Sequence, residues 1–315
     1  MRRSMFHTTA EARRDNGRRT IACLAGDGVG PELMGEASRA LAAVARMHAL
    51  RIDDVHLPFG GEALVRLGHP LPQSTRAAYA DADAILVTSP GDPALDGVKA
   101  DLDFAWRVSR VHNQPRGDLL VVEPLGSGTD EVVIARAFEI AAARRARLTS
   151  VGATAEWNDL VTAEADGWAG LDVELLTLRD VLRRFRDRPG TVDLVVAPEF
   201  FAGAIVDAAA HLAGSLHTVA SGCLSQQGPG VFAAEVCDDN EVAGFGVADA
   251  TGTLLAASLL LGEGLGQRSA ARTLERAVTA AEASGTTDTR SFTDAVIRAL
   301  PDARTDTELF EEVWR

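Results

Sequence analysis

The stretch Gly26-Asp27-Gly28-Val29-Gly30-Pro31-Glu32 has the composition of a ligand-binding turn. It stands between an apolar run, Thr20 to Leu24, and a long helical pattern from Pro31 to Ala49. The apolar run reads as a buried strand. Pro31 suits a first helical turn, where its missing N–H would have had no intrahelical acceptor. The glycines allow a tight turn and a close approach of ligand to backbone. The helix start offers free N–H groups and a positive dipole end to an anion. The spacing does not match the dinucleotide fingerprint, so these residues do not define a Rossmann fold.

Other reactive residue types are sparse. Lys99 is the only lysine and Tyr79 the only tyrosine. Any step that needs an amine or a phenol has one candidate each. Ser221-Gly222-Cys223 offers a thiol, but no histidine stands beside it in sequence, and a buried structural cysteine is the better reading. Asp207, His211 and His217 could suggest a metal site, yet lone helical histidines are more often structural.

The elements that position these residues follow from apolar periodicity. Ala82 to Val87, Asp118 to Val122, Leu148 to Val151, Val173 to Leu176 and Val192 to Ala197 read as strands. Thr129 to Ala146, Phe200 to Ala213, Thr251 to Leu261, Ser269 to Ser284 and Ser291 to Leu300 read as helices, with a short amphipathic helix over Asp306 to Trp314. The Phe200–Ala213 segment is apolar nearly all round and is expected to be buried on all sides.

The chain has 315 residues, 46% of them apolar, and a net charge of −14. That is enough for one large domain or two smaller ones. The charge argues against nucleic acid and anionic membrane as partners. Three cysteines without metal-type spacing point to reduced thiols and a cytoplasmic protein. No apolar run is long enough to span a membrane. Residues 1–18 read as a disordered extension.

The string Gly26 to Glu32 resembles the opening of the isopropylmalate/isocitrate dehydrogenases. Phe59-Gly60-Gly61-Glu62-Ala63, Gly68-His69-Pro70-Leu71-Pro72, Arg136 to Ala141 and Gly246-Val247-Ala248-Asp249 continue the likeness from about Arg19 to Leu300. The resemblance implies an α/β fold of two domains with a cleft between them. Residues 19–98 and 231–315 would form the first domain. Residues 99–230 would form a central domain that supplies a homodimer interface. It also implies NAD(P)-dependent oxidation and decarboxylation of a 2-hydroxy acid with a divalent metal.

The catalytic set that the family uses is not matched. Its tyrosine belongs on the loop Glu123 to Thr129, which has no phenol. Its lysine belongs just after the strand Leu148 to Val151, where Gly152 to Asn158 has none. Its paired aspartates match Gly203 and Asp207, and its third matches Arg179, so a metal is not expected; Asp207 reads instead as an ion-pair partner of an arginine. Its substrate arginines map onto Lys99, Ser109 and Glu123. Lys99, Arg107 and Arg110 remain as an anion-binding set. The resemblance places cofactor contacts at Gly28, Thr88, Glu241 and Asp249, with NAD favoured over NADP by nearby acids such as Asp238 and Asp239. The expectation is a diverged member that binds a small anionic molecule without oxidative decarboxylation. The alternative is an active NAD-dependent dehydrogenase of a malate-type acid with replaced catalytic groups.

Overall fold

The computed structural model describes residues 17–112, 118–152, 154–236 and 240–301. Residues 1–16, Asp238, Asp239 and the helix expected over 306–314 lie outside the described residues. Arg18, counted with the extension on sequence grounds, instead opens the first strand and pairs with Asp53.

The chain alternates strands and helices. The strands are β1 (Arg18–Leu24), β2 (Arg51–His56), β3 (Ala84–Val87), β4 (Trp106–Val111), β5 (Leu119–Pro124), β6 (Arg147–Val151), β7 (Asp172–Leu176), β8 (Leu194–Val196), β9 (Val219–Leu224) and β10 (Gly230–Ala234). The helices are α1 (Gly30–Met47), α2 (Gly60–Leu67), α3 (Gln73–Ala80), α4 (Ala94–Asp101), α5 (Asp130–Ala142), α6 (Ala155–Ala165), α7 (Leu178–Asp187), α8 (Glu199–Ala213), α9 (Thr251–Leu259), α10 (Arg268–Glu282) and α11 (Thr289–Ala299). All ten strands join one sheet in the order β2-β1-β3-β10-β9-β4-β5-β8-β6-β7. β2, β1, β3 and β10 run parallel, as do β5, β8, β6 and β7. Between these halves, β4 is antiparallel to both β9 and β5, and β9 is antiparallel to β10.

The two faces of this sheet are covered differently. One carries a continuous core, in which Ile21, Leu86, Phe232, Val108, Val122 and Leu148 meet α1, α5, α6 and α9 to α11. The other carries two separate cores. At one end Ala22, Ile85 and Val231 pack with Phe59, Leu71 and Leu95. At the other Val121, Val195 and Val219 pack with Val181, Phe185 and Ile205. The interruption between them leaves a polar strip of sheet, which is the floor of the cleft between two α/β domains.

α8 differs from the sequence expectation. Ala202, Ile205, Val206, Ala209 and Ala210 are buried within the chain, but Phe200 is 84% exposed and Ala204 is also open. The helix therefore buries one face in its own domain and leaves a short apolar strip uncovered, with Phe200 and Phe201 in ring contact at 5.7 Å between centroids.

Candidate functional site

Side chains two apart along a strand share a face, and cross-strand partners stand side by side. Arg107 on β4 is opposite Glu123 on β5 and Cys223 on β9, and Ser109 is opposite Ser221. These five polar side chains interrupt the apolar face of the sheet between its two cores. Arg107 donates from Nε to a Glu123 oxygen, closing an ion pair across the strands. The other oxygen, Glu123 Oε2, is buried and has no hydrogen-bond partner, in a residue that is 1% exposed. Burial pushes the Glu123 carboxyl above its ordinary range; Arg107 opposes this, and the nearby carboxylates of Glu199 and Glu235 reinforce it. Burial also raises the half-buried Cys223 thiol against the pull of Arg107 and Lys99, so it is held as a thiol rather than an activated thiolate. Lys99, on α4, is exposed and lies within electrostatic reach of Cys223.

Arg110 is not part of this cluster. It stands three residues from Arg107 and therefore points through the opposite face of the sheet. There it is 1% exposed and ion-paired with Asp118 and Glu275. The anion-binding set of Lys99, Arg107 and Arg110 thus reduces to Lys99 and Arg107. Sequence spacing missed this because β4 was not recognised as a strand.

The glycine turn is shaped first by its own chain. Ser89 Oγ donates to Ala25 O (2.7 Å) and Asp27 O (3.0 Å), and Thr88 Oγ1 donates to Gly30 O (2.8 Å). A Cβ on Gly30 would stand 1.9 Å from Ala25 O, and Gly26, at φ 67°, would meet Ser89 at 2.6 Å. The Asp27 carboxylate accepts from the N–H groups of Gly61 (2.6 Å) and Glu62 (3.1 Å), so it caps α2. Thr88 is therefore a tie between the turn and β3. Gly28 is half-buried at φ 61°. Asp249 caps α9, accepting from Thr251 N–H at 2.8 Å, while Glu241 stays exposed. Glu32, the last residue of the glycine motif, reaches the loop before Asp249. Glu32 Oε2 accepts from Gly244 N–H (3.0 Å), whereas Glu32 Oε1 is buried without a partner. The Gly244 loop is thereby tied to the first turn of α1.

Among the described residues of one copy, the donors that a divalent cation needs are not gathered. Asp207 is exposed on α8 and has no ion pair within the described residues of this one chain. No group of three His, Cys, Asp or Glu among the described residues is placed to hold a metal. A hard cation takes several oxygen ligands, and the two carboxylates of α8, Glu199 and Asp207, stand at opposite parts of the helix and do not by themselves meet that requirement. Tyr79 lies in α3, buried, with its hydroxyl donating to Asp101. Burial and that carboxylate raise its pKa, which leaves no free phenol for the cleft.

The fold defines an α/β protein of two domains with a cleft between them. The family model "Isocitrate/isopropylmalate dehydrogenase" matches residues 20–102 and 123–306, so the chain belongs to that family. The 3-isopropylmalate dehydrogenase of Synechococcus sp. (strain CC9902) is 29% identical over 84% of this chain and 91% of its own length. That of Bacillus anthracis is 27% identical, over 89% and 96%. The isocitrate dehydrogenase structure from Methylococcus capsulatus superposes with a TM-score of 0.72 at 18% identity, covering 90% of this chain and all of that one. A beta-decarboxylating dehydrogenase from Thermococcus kodakarensis, in its apo form, gives 0.75 at 20% identity over 94% and 99%. The segment between the two matched blocks contains β4, which carries both Arg107 and Arg110. Among the described residues, no helix is long and apolar enough to cross a membrane.

Proposed function

We propose that this protein keeps the family's cleft as a binding site for a small anion and has lost oxidative decarboxylation. The Glu123–Arg107 pair carries the reading. The resemblance maps a substrate arginine onto Glu123, and this carboxylate instead engages Arg107, the cation next to it. A ligand carboxylate would be met by Lys99 as a point charge and by the remaining N–H groups of Arg107. Glu123 Oε2 would accept from a ligand hydroxyl or, when protonated, donate to a ligand oxygen. NAD is a compatible second ligand, with Glu32 and Glu241 at its adenosine end; bound, it would supply a hydride acceptor. The family's acid–base pair has no replacement in the cleft, since Tyr79 is committed to Asp101 and Lys99 stands at the rim. The reading extends to a cytoplasmic protein with domains at 19–98 plus 231–315 and at 99–230.

The test is turnover. The full-length protein, supplied with NAD, magnesium or manganese and isopropylmalate, isocitrate, malate or tartrate, is expected to reduce no NAD. A positioned acid or base contributes about a hundredfold or more, and two are missing. Turnover near the ordinary ~10 per second would instead establish the dehydrogenase activity for which its relatives are named.

The same reading includes a homodimer through α8. Phe200, at 84% exposure, and Ala204 form an apolar strip that a second copy would cover. Phe200→Asp should therefore give a folded monomer in light scattering at micromolar concentration, because the ring contributes little to its own core. A wild-type protein that is already monomeric under those conditions would overturn the dimer.

A further inference from the structure

On the sheet face opposite the cleft, a pocket of about 380 Å³ opens between α5 and α10. We propose that it binds a small polyanion, of the triphosphate or tricarboxylate kind. Arg268, Arg272 and Arg276 follow one another at four-residue intervals on α10 and line it, together with Arg144, Arg145 and Arg110. Residues at i, i+4 and i+8 share one helix face, where like charges repel one another. None of these three α10 arginines pairs with a carboxylate among the described residues; the side-chain contacts they make are to backbone oxygens of Ala143 and Arg272.

The acids in the pocket wall do not answer that charge. Asp118 and Glu275 are occupied by Arg110, and Glu263 accepts from Arg136 at 2.7 Å. Arg144 and Arg145 share Asp193, at 2.8 and 3.7 Å. The excess of positive charge thus comes from the α10 stripe, in a chain whose net charge is −14. A second observation points into the same space. Arg110 lines the pocket, is 1% exposed, and its Nε is buried without a hydrogen-bond partner. A buried polar atom left unpaired is destabilising, and an oxygen of a bound ligand would relieve that cost. Guanidinium groups present planar paired donors, which suit phosphate and carboxylate oxygens alike.

The experiment is calorimetric titration of the full-length protein with sodium triphosphate and, separately, citrate, each at matched ionic strength. At least one is expected to bind with a dissociation constant of about 1 mM or below. The double variant Arg272→Ser/Arg276→Ser should weaken it about tenfold or more, since two charge-assisted contacts are lost. Lys99→Ala, which alters only the cleft, should leave it unchanged, so failure here is distinguishable from failure of the cleft reading. Stronger binding of triphosphate than citrate identifies a phosphate ligand, and the reverse a polycarboxylate. Absence of binding by both probes, or equal affinity in the double variant, overturns the proposal.

Discussion

Replacing Arg110 with alanine is expected to remove about 3–5 kcal/mol of folding stability, the range for deleting one partner of a buried ion pair. The guanidinium is 1% exposed and neutralises both Asp118 and Glu275. Its loss strands two carboxylates beside a sheet face whose other neighbours are Leu120 and Ala220. The check is urea denaturation of wild type and variant at neutral pH. Adding Asp118→Asn and Glu275→Gln to the variant should recover part of the loss, because those charges then no longer need compensation. A deficit under ~1 kcal/mol, the range of an exposed pair, would show that water reaches the cluster.

The same cluster sets a pH window. His112, just beyond β4, lies between Asp118 (2.7 Å from Nδ1) and Glu282 (2.8 Å from Nε2). Burial alone would lower its pKa, but the two carboxylates win and raise it from an ordinary 6.5 to about 9. A group whose folded pKa is raised contributes stability that is complete below its unfolded pKa and lost as pH rises through the folded one. The histidine contribution should therefore be full below pH 6.5 and vanish through about pH 9. At about 1.4 kcal/mol per pKa unit, it amounts to about 3 kcal/mol. Asp118 behaves oppositely. Burial opposes its ionisation, but Arg110 and His112 hold its carboxyl well below its ordinary 3.8, so its contribution is complete above that pH and fades in acid. The cluster should stabilise most between pH 3.8 and 6.5. Denaturation midpoints measured from about pH 6 to 10 should decline in wild type, and the decline should shrink in His112→Gln. An identical decline in the variant would assign the alkaline limb to other groups.

The sequence showed the parts of the fold that are apolar on both faces. Ala84–Val87, Leu119–Val122 and Leu194–Val196 are buried through the sheet, and their runs are unbroken. β4, Trp-Arg-Val-Ser-Arg-Val, and β9, Val-Ala-Ser-Gly-Cys-Leu, were not legible as strands. Arg107, Ser109, Ser221 and Cys223 lie where one sheet face has no core, and Arg110 is buried on the other face as an ion pair, so the apolar pattern fails in both strands. The site suffered for the same reason. Lys99 and Arg107 could be named, but the face on which each arginine emerges depends on a register that only the strand pairing supplies. Glu123 and Glu32 were present in the reading as a lost arginine and a motif residue. Their unpaired oxygens are a property of packing, not of residue type. For α8, apolar composition correctly indicated buried surface; how much of it the chain covers by itself was a matter of tertiary contact.

β4 holds Arg107 to one side and Arg110 to the other, three residues apart, and a strand has little freedom to move one without the other. Were both proposed sites filled, a tilt or slide of β4 that improved the fit of one guest would be felt by the other, and by reciprocity whatever factor one occupant applied to the affinity of the other would be returned unchanged. A strand one residue longer or shorter between the arginines would put both on one face and abolish that exchange. The odd spacing makes β4 a partition with a handle on each side.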